Sequence, residues 1–159
     1  MVDDLRVGHG FDVHPISEDQ ERPLVLGGVQ FDGPGLAGHS DADVVAHACA
    51  DALLGAAGRG DLGERFPDTD PSLAGADSLS LLADVVADLG ADGWEVCNVD
   101  CTVVLEEPRL APHREEMQRR LGEVVGAPVG VRGRRAESLG PVGRGEAVVC
   151  LAVALVRRR

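Results

Sequence analysis

Val7-Gly8-His9-Gly10-Phe11-Asp12-Val13-His14 reads as a β-strand, and two of its residues, Asp12 and His14, are spaced two apart. Side chains alternate along a strand, so both point to one face. Gly38-His39-Ser40-Asp41-Ala42-Asp43-Val44-Val45-Ala46-His47 follows. Then comes Gly60-Asp61-Leu62-Gly63-Glu64-Arg65-Phe66-Pro67-Asp68-Thr69-Asp70. Four of the chain's five histidines and a cluster of carboxylates fall between Val7 and Asp70. His47 stands in an apolar-periodic segment that reads as a helix. One carboxylate and two imidazoles suit Zn²⁺, and three protein ligands leave a fourth position open, as a catalytic zinc requires. An Asp-x-His pair also arises by chance, and a lone helical histidine is also a packing residue. On the triplet alone both readings stand.

Outward from this stretch, Leu5 to Val13 is expected as the first strand. Leu24 to Phe31 reads as two short strand pieces around the Gly27-Gly28 turn. Ser40 or Asp41 is expected to cap a helix running to Ala57 and stopped near Gly58 and Gly60. Asp43, His47 and Asp51 are four apart and share one helix face. Gly60 to Gly75 reads as an acidic loop, either a solvated Asx-turn segment or a binding loop for sugar hydroxyls. Helices are expected over Ser78–Leu89 and from Pro112 or His113 to Val125. Strands are expected over Val96–Leu105, Val129–Arg135 and Ala147–Val156. Glu137 to Gly145 reads as a loop, and the three terminal arginines as frayed. Strands and helices interleave without a strict βαβ period. The expected class is therefore α+β: one domain over residues 1–159, with a mixed β-sheet and helices on one face.

The 159 residues suffice for one domain with a real core. A net charge of −12 argues against sequence-independent binding of nucleic acid, and three phenylalanines with one tryptophan make a base-stacking platform a poor fit. All 15 basic residues other than histidine are arginine, so any cationic contact to phosphate must be made by arginine. Cys49, Cys97, Cys101 and Cys150 match no zinc spacing and read as buried thiols. No apolar run reaches membrane-spanning length and no leader pattern opens the chain, so a soluble cytoplasmic protein without a membrane partner is expected.

The pieces Arg6 to His14, Gly38-His39-Ser40-Asp41 with Asp43 and His47, Asp51 to Ala57, Gly60-Asp61-Leu62-Gly63, Phe66 to Pro71, Gly75 to Ser78, Asn98-Val99-Asp100 and Gly143-Arg144-Gly145-Glu146 occur in one order. Together they resemble the 2-C-methyl-D-erythritol 2,4-cyclodiphosphate synthase family, over nearly the whole chain. The length is similar to that of the free-standing enzyme rather than of its fusion with a cytidylyltransferase.

The resemblance implies a phosphorus–oxygen lyase of the non-mevalonate isoprenoid pathway. The implied substrate is 4-diphosphocytidyl-2-C-methyl-D-erythritol 2-phosphate, and the implied assembly is a homotrimer with active sites between subunits. Asp12, His14 and His47 would hold Zn²⁺. His39 and Ser40 would contact the substrate near the metal, with His39 stabilising the transition state. Asp61, Gly63, Phe66, Asp68 and Asp70 would hold the methylerythritol part. Leu105, Pro108, Arg109, Leu110 and Ala111, with Arg134, Arg135, Ala136 and Glu137, would face the cytidine diphosphate part. Glu137 would bind Mg²⁺ or Mn²⁺ on the diphosphate. No nucleophile motif is present, and none is needed when the nucleophile is a phosphate oxygen. Metal ions would reconcile an acidic chain with a polyanionic substrate.

Two positions depart from the family pattern. Arg135 stands in place of a threonine to which transition-state stabilisation is assigned; its guanidinium could supply charge instead, or backbone amides could do the work. Pro141 stands where relatives often carry an aromatic residue lining a central trimer cavity. Two other functions share these residues. One is a zinc-dependent phosphate-ester hydrolase on the same open metal site. The other is a non-catalytic trimer binding isoprenoid diphosphates through Arg144.

Overall fold

The computed structural model describes residues 4–159. The chain runs β1 (Leu5–Pro15), β2 (Leu24–Leu26), β3 (Val29–Phe31), α1 (Val44–Ala57) and α2 (Leu62–Arg65). A 3₁₀ turn at Pro71–Leu73 leads into α3 (Ser78–Ala91), β4 (Trp94–Val104), α4 (Arg114–Val125), β5 (Val129–Arg134), α5 (Gly140–Gly143) and β6 (Ala147–Arg158). The main sheet has the order β1-β6-β4-β5. β6 pairs antiparallel with both β1 and β4, whereas β4 and β5 are parallel and joined through α4. The fold is thus the expected mixed α+β domain. β2 and β3 form a separate hairpin turned by Gly27 and Gly28, both at positive φ, as a tight two-residue turn requires.

Alternation along β1 buries Gly8 and Gly10 and half-buries Asp12 and His14, and leaves Val7, Phe11 and Val13 exposed. The two buried glycines decide how close α1 can come. A Cβ on Gly8 would collide with the carbonyl oxygen of Ala52, and one on Gly10 with that of Ala48. Without those carbons, α1 lies directly on β1, with small residues (Ala48, Ala52, Ala56) at the contact. This close approach carries His47 to Asp12 and His14.

Helix α1 starts later than the sequence suggested. Its N-cap is Asp43, not Ser40 or Asp41. The Asp43 carboxylate accepts from the amides of Val45 and Ala46 in its own helix and from Gly27 and Gly28 of the β2–β3 hairpin. Four donors from two elements select this carboxylate over its neighbours. The helix ends as expected, with Gly58 in the left-handed conformation.

The expected loops hold short helical turns, α2 and the 3₁₀ turn in the first and α5 in the second. The C-terminal arginines correct an expectation too. β6 extends to Arg158; Arg157 pairs with Glu95 at 3.0 Å and Arg158 stacks 5.1 Å over Trp94. Cys49, Cys101 and Cys150 are buried free thiols, and Cys97 is half-buried. Among the described residues, no helix is long and apolar enough to cross a membrane.

Candidate active site

Three side chains converge where β1 meets α1. His14 Nε2 lies 3.0 Å and His47 Nδ1 3.1 Å from Asp12 Oδ2, and the two ring nitrogens are 3.2 Å apart. Among the described residues this is the one group of three metal-ligating side chains whose donor atoms all lie within 4.8 Å of one another. Burial raises the Asp12 carboxyl, but the hydrogen bonds from His14 and His47 outweigh it and hold it at about 2. Burial pushes His14 down; the Asp12 carboxylate pulls it up further, and the net shift is upward. His14 Nδ1 lies 2.7 Å from the carbonyl oxygen of Ala37, which can only accept. The Nδ1 proton is thereby fixed and Nε2 is aimed at Asp12, the orientation that metal-ligating histidines receive from an outer partner. One carboxylate and two oriented imidazoles fit a divalent cation of the zinc type and leave room for further ligands.

The cluster opens into a cavity of about 580 Å³ lined by Phe11, Gly38, His39, Ser40 and Asp51, and by the segment Asp61, Leu62, Gly63, Phe66, Pro67 and Asp68. His39 Nε2 donates to the carbonyl oxygen of Asp70 at 2.7 Å, which ties the histidine to the acidic loop. Ser40 is buried, its hydroxyl 3.1 Å from His47 Nε2. Asp61 caps α2 by accepting from the amide of Glu64 at 2.8 Å. Asp70 stands at the edge; its carboxylate accepts from the amide and hydroxyl of Ser72, which hold it below the usual carboxylate range.

A second cavity, of about 280 Å³, is lined by Leu105, Pro108, Arg109, Leu110 and Ala111 together with Glu106, Arg114, Gly133, Arg134 and Arg135. Ala136 and Glu137 follow in the chain but do not line it. Glu137 is exposed and at positive φ, and offers a single carboxylate. Arg144 lies in neither cavity and pairs with Glu146 at 2.6 Å. The two cavities share no residue. The first rests on β1 and the second on β5, the opposite edges of the sheet. Three strand spacings of about 4.8 Å separate those edges, roughly 14 Å.

Sequence reasoning did not assign Asp51 or Ser78 to the site, and it included Glu106 only as part of the segment Leu105 to Ala111, with no role of its own. Asp51 accepts from the amide of Leu62 at 2.8 Å and so fixes the cavity wall; its place four residues after His47 was the available signal. Burial raises its carboxyl. Ser78 and Glu106 gave no local signal, because their partners lie far away in the chain.

The model of the YgbB family matches residues 5–157. The chain belongs to that family, the 2-C-methyl-D-erythritol 2,4-cyclodiphosphate synthases. The synthase of Synechococcus sp. (strain CC9311) is 51% identical over 162 residues, covering 98% of this chain and 96% of the relative. The bifunctional enzyme IspD/IspF of Anaeromyxobacter sp. (strain Fw109-5) is 50% identical over 157 residues, 97% of this chain; the match spans only 40% of that longer relative. The solved CDP complex of IspF from Plasmodium falciparum superposes with a TM-score of 0.84 at 29% identity, covering 98% of this chain and 97% of that one. Family membership accounts for the ordered set of motifs, since the Asp12, His14 and His47 cluster and the acidic loop are both embedded in the matched region.

Proposed function

We propose that this YgbB-family chain, as one synthase domain over residues 1–159, converts 4-diphosphocytidyl-2-C-methyl-D-erythritol 2-phosphate to 2-C-methyl-D-erythritol 2,4-cyclodiphosphate and CMP. The observation that carries the reading is the convergence of Asp12, His14 and His47 in the wall of a cavity that the acidic loop also lines. An oxygen of the 2-phosphate attacks the β-phosphorus. The bond from that phosphorus to the bridging oxygen breaks, CMP departs with the electron pair, and an eight-membered ring closes. No water enters.

Asp12, His14 and His47 would hold Zn²⁺, and Glu137 would supply one ligand to Mg²⁺ or Mn²⁺ whose other ligands come from phosphate and water. Bound ions supply the positive charge that lets two phosphates approach and withdraws charge from the attacked phosphorus. The protein's own share is positioning. Asp61, the Gly63 backbone, Phe66, Asp68 and the Asp70 segment hold the methylerythritol hydroxyls and carbon skeleton. His39, anchored on Asp70, and Ser40 contact the phosphate near the metal ligands. Leu105 to Ala111 receive the cytidine. Arg134 and Arg135, with the backbone of Ala136, face its diphosphate.

The two cavities stand on opposite edges of one sheet, and an assembly that brings the first cavity of one chain to the second cavity of another lets one substrate occupy both. This supports a homotrimer in which the first cavity of one subunit meets the second cavity of its neighbour. The sheet face away from the helices supports it as well. Val7, Phe11 and Val13 on β1 and Leu151 and Val153 on β6 form an exposed apolar patch, of the kind a second copy covers.

The test is incubation of the protein with the cytidyl substrate, with and without divalent metals, followed by phosphorus NMR. A cyclic diphosphate with stoichiometric CMP is expected. Inorganic phosphate would instead mark a hydrolase, and binding without turnover a non-catalytic diphosphate binder.

A further inference from the structure

His47 presents its two ring nitrogens to different partners. Nδ1 faces Asp12 and His14. Nε2 points the other way, 2.8 Å from Ser78 Oγ and 3.1 Å from Ser40 Oγ. Ser78 is the first residue of α3 and is 1% exposed. Its hydroxyl donates in a short hydrogen bond to Asp41 Oδ1, and its backbone amide donates to Asp41 Oδ2 at 3.2 Å.

With a metal ion taking the place of the hydrogen bond between His47 Nδ1 and Asp12, the proton inventory of this chain favours one arrangement. A carboxylate only accepts, and a serine hydroxyl has one proton to give. Ser78 gives it to Asp41. Ser78 Oγ can then only accept from His47, so Nε2 must carry the hydrogen. Ser40 Oγ accepts from the amide of Ala42 at 3.1 Å and lies 3.4 Å from Ser78 Oγ, where its own proton has an acceptor. With Nε2 protonated, Nδ1 is the nitrogen left for a metal ion. The relay reaches His47 from the start of α3 and from the loop before α1, two segments other than the strand that carries Asp12 and His14.

We propose that Ser78 and Asp41 are positioning residues that fix the ring orientation and tautomer of His47 and thereby set the affinity of the Asp12, His14 and His47 site for zinc. This rests on the zinc site in the proposed function. A hydroxyl and a carboxylate in series do for His47 what the Ala37 carbonyl does for His14.

The experiment is zinc affinity by competition with a chromophoric chelator, measured on the full chain for wild type, Ser78→Ala and Asp41→Asn. Loss of an outer partner of this kind weakens metal binding by about 10–100-fold, and that loss is expected in both variants. Asp41→Asn is informative because the amide can donate to Ser78 and reverse the relay, so that Nε2 would lose its acceptor. Thermal midpoints read alongside show whether each variant remains folded. A second measurement needs no variant. In the zinc-loaded wild type, proton–nitrogen NMR should show a slowly exchanging Nε2–H on His47, and ¹¹³Cd substitution should show coupling to Nδ1. Wild-type zinc binding with unchanged affinity in folded variants, or metal coupled to Nε2, overturns this inference alone. Failure of the wild type to take up zinc overturns the proposed function and this inference together.

Discussion

Arg135 Nε donates to Glu106 Oε2 across 3.1 Å, while Glu106 Oε1 accepts from the amides of Ala136 at 2.9 Å and Ser138 at 3.4 Å. One carboxylate thus ties the residues after β5 to the residues after β4, the two segments that wall the second cavity. The Arg135 side chain is 61% exposed, so solvent screens its ion pair and leaves it weak. A diphosphate can take the guanidinium from Glu106 at little cost, and the amides keep the loop in place while it does so.

Arg135→Ala should therefore lower kcat by about 10²–10³, the usual effect of losing one donor to an oxygen that gains charge in the transition state. Arg135→Lys should recover only part, since an ammonium lacks the planar fork. Arg135→Thr should restore activity if the backbone is unchanged. Steady-state kinetics at saturating metal decide the matter. A change below about threefold in the alanine variant, under about 0.7 kcal/mol of barrier, would make Arg135 part of the scaffold only.

His47→Ala should abolish bound zinc and most turnover together. Asp12 and His14 alone leave two protein ligands, too few for an open tetrahedral site of useful affinity. Elemental analysis of the purified variant gives the zinc content. Retention of both zinc and activity would show that the ligand assignment is wrong.

Gly10→Ala tests how the site is assembled rather than what it contains. The added Cβ meets the carbonyl oxygen of Ala48, a backbone atom that cannot move without α1. Overpacking of this sort costs about 1–3 kcal/mol, and at about 2–4 °C per kcal/mol for a chain of this size the thermal midpoint should fall by several degrees. Displacement of α1 also carries His47 away from Asp12, so zinc affinity should fall in the same variant. Loss of stability with zinc affinity unchanged would separate helix packing from site geometry.

Asp43 gives the fold a pH dependence with a defined sign. Burial raises its carboxyl to about 6 against the four amides that donate to it. The folded value lies above the unfolded one, near 3.8. Between those two values the folded chain holds the extra proton, and this residue's contribution falls as pH rises. At about 1.4 kcal/mol per unit, the loss across the window is about 3 kcal/mol. Asp43→Ala should destabilise by about 2–4 kcal/mol, because the cap is lost and the Gly27 and Gly28 amides are left without their acceptor. It should also lack the wild-type decline between about pH 4 and about pH 6. Urea denaturation of both proteins across that range is the measurement; parallel curves would contradict the assignment.

Much of this architecture was legible locally. The alternation around Asp12 and His14 marked β1, the apolar period around His47 marked α1, and Gly27-Gly28 marked the hairpin. The cap of α1 was not, since Ser40, Asp41 and Asp43 all suit an N-cap and only the distant hairpin amides distinguish them. Ser78 reads as an ordinary first-turn serine, and its bond to His47 spans 31 residues. The terminal arginines read as frayed because neither Glu95 nor Trp94 is near them in the chain. Chemistry that rests on residues a few positions apart was visible. Contacts that rest on the sheet order were not.

The division of the site between opposite sheet edges leads to a complementation test. His47→Ala damages the first cavity and leaves the second intact, whereas the double variant Arg135→Ala with Glu137→Ala does the reverse. In a trimer whose sites pair the first cavity of one subunit with the second cavity of the next, each homotrimer of either variant has only damaged sites. Co-expression in equal amounts gives mixed trimers, and a site is whole when its first cavity comes from the double variant and its second from His47→Ala. Random assembly makes that arrangement about one site in four, so the mixture should regain about a quarter of wild-type activity. Sites contained in one chain would give none, because every chain then carries a lesion in its own site. Leu151→Asp, placed on the exposed apolar patch of β6, completes the test. A charge buried there should dissociate the assembly to monomers in sedimentation, and activity should be lost with it although both cavities are chemically unaltered. Full activity in a monomeric Leu151→Asp protein would show that one chain is enough.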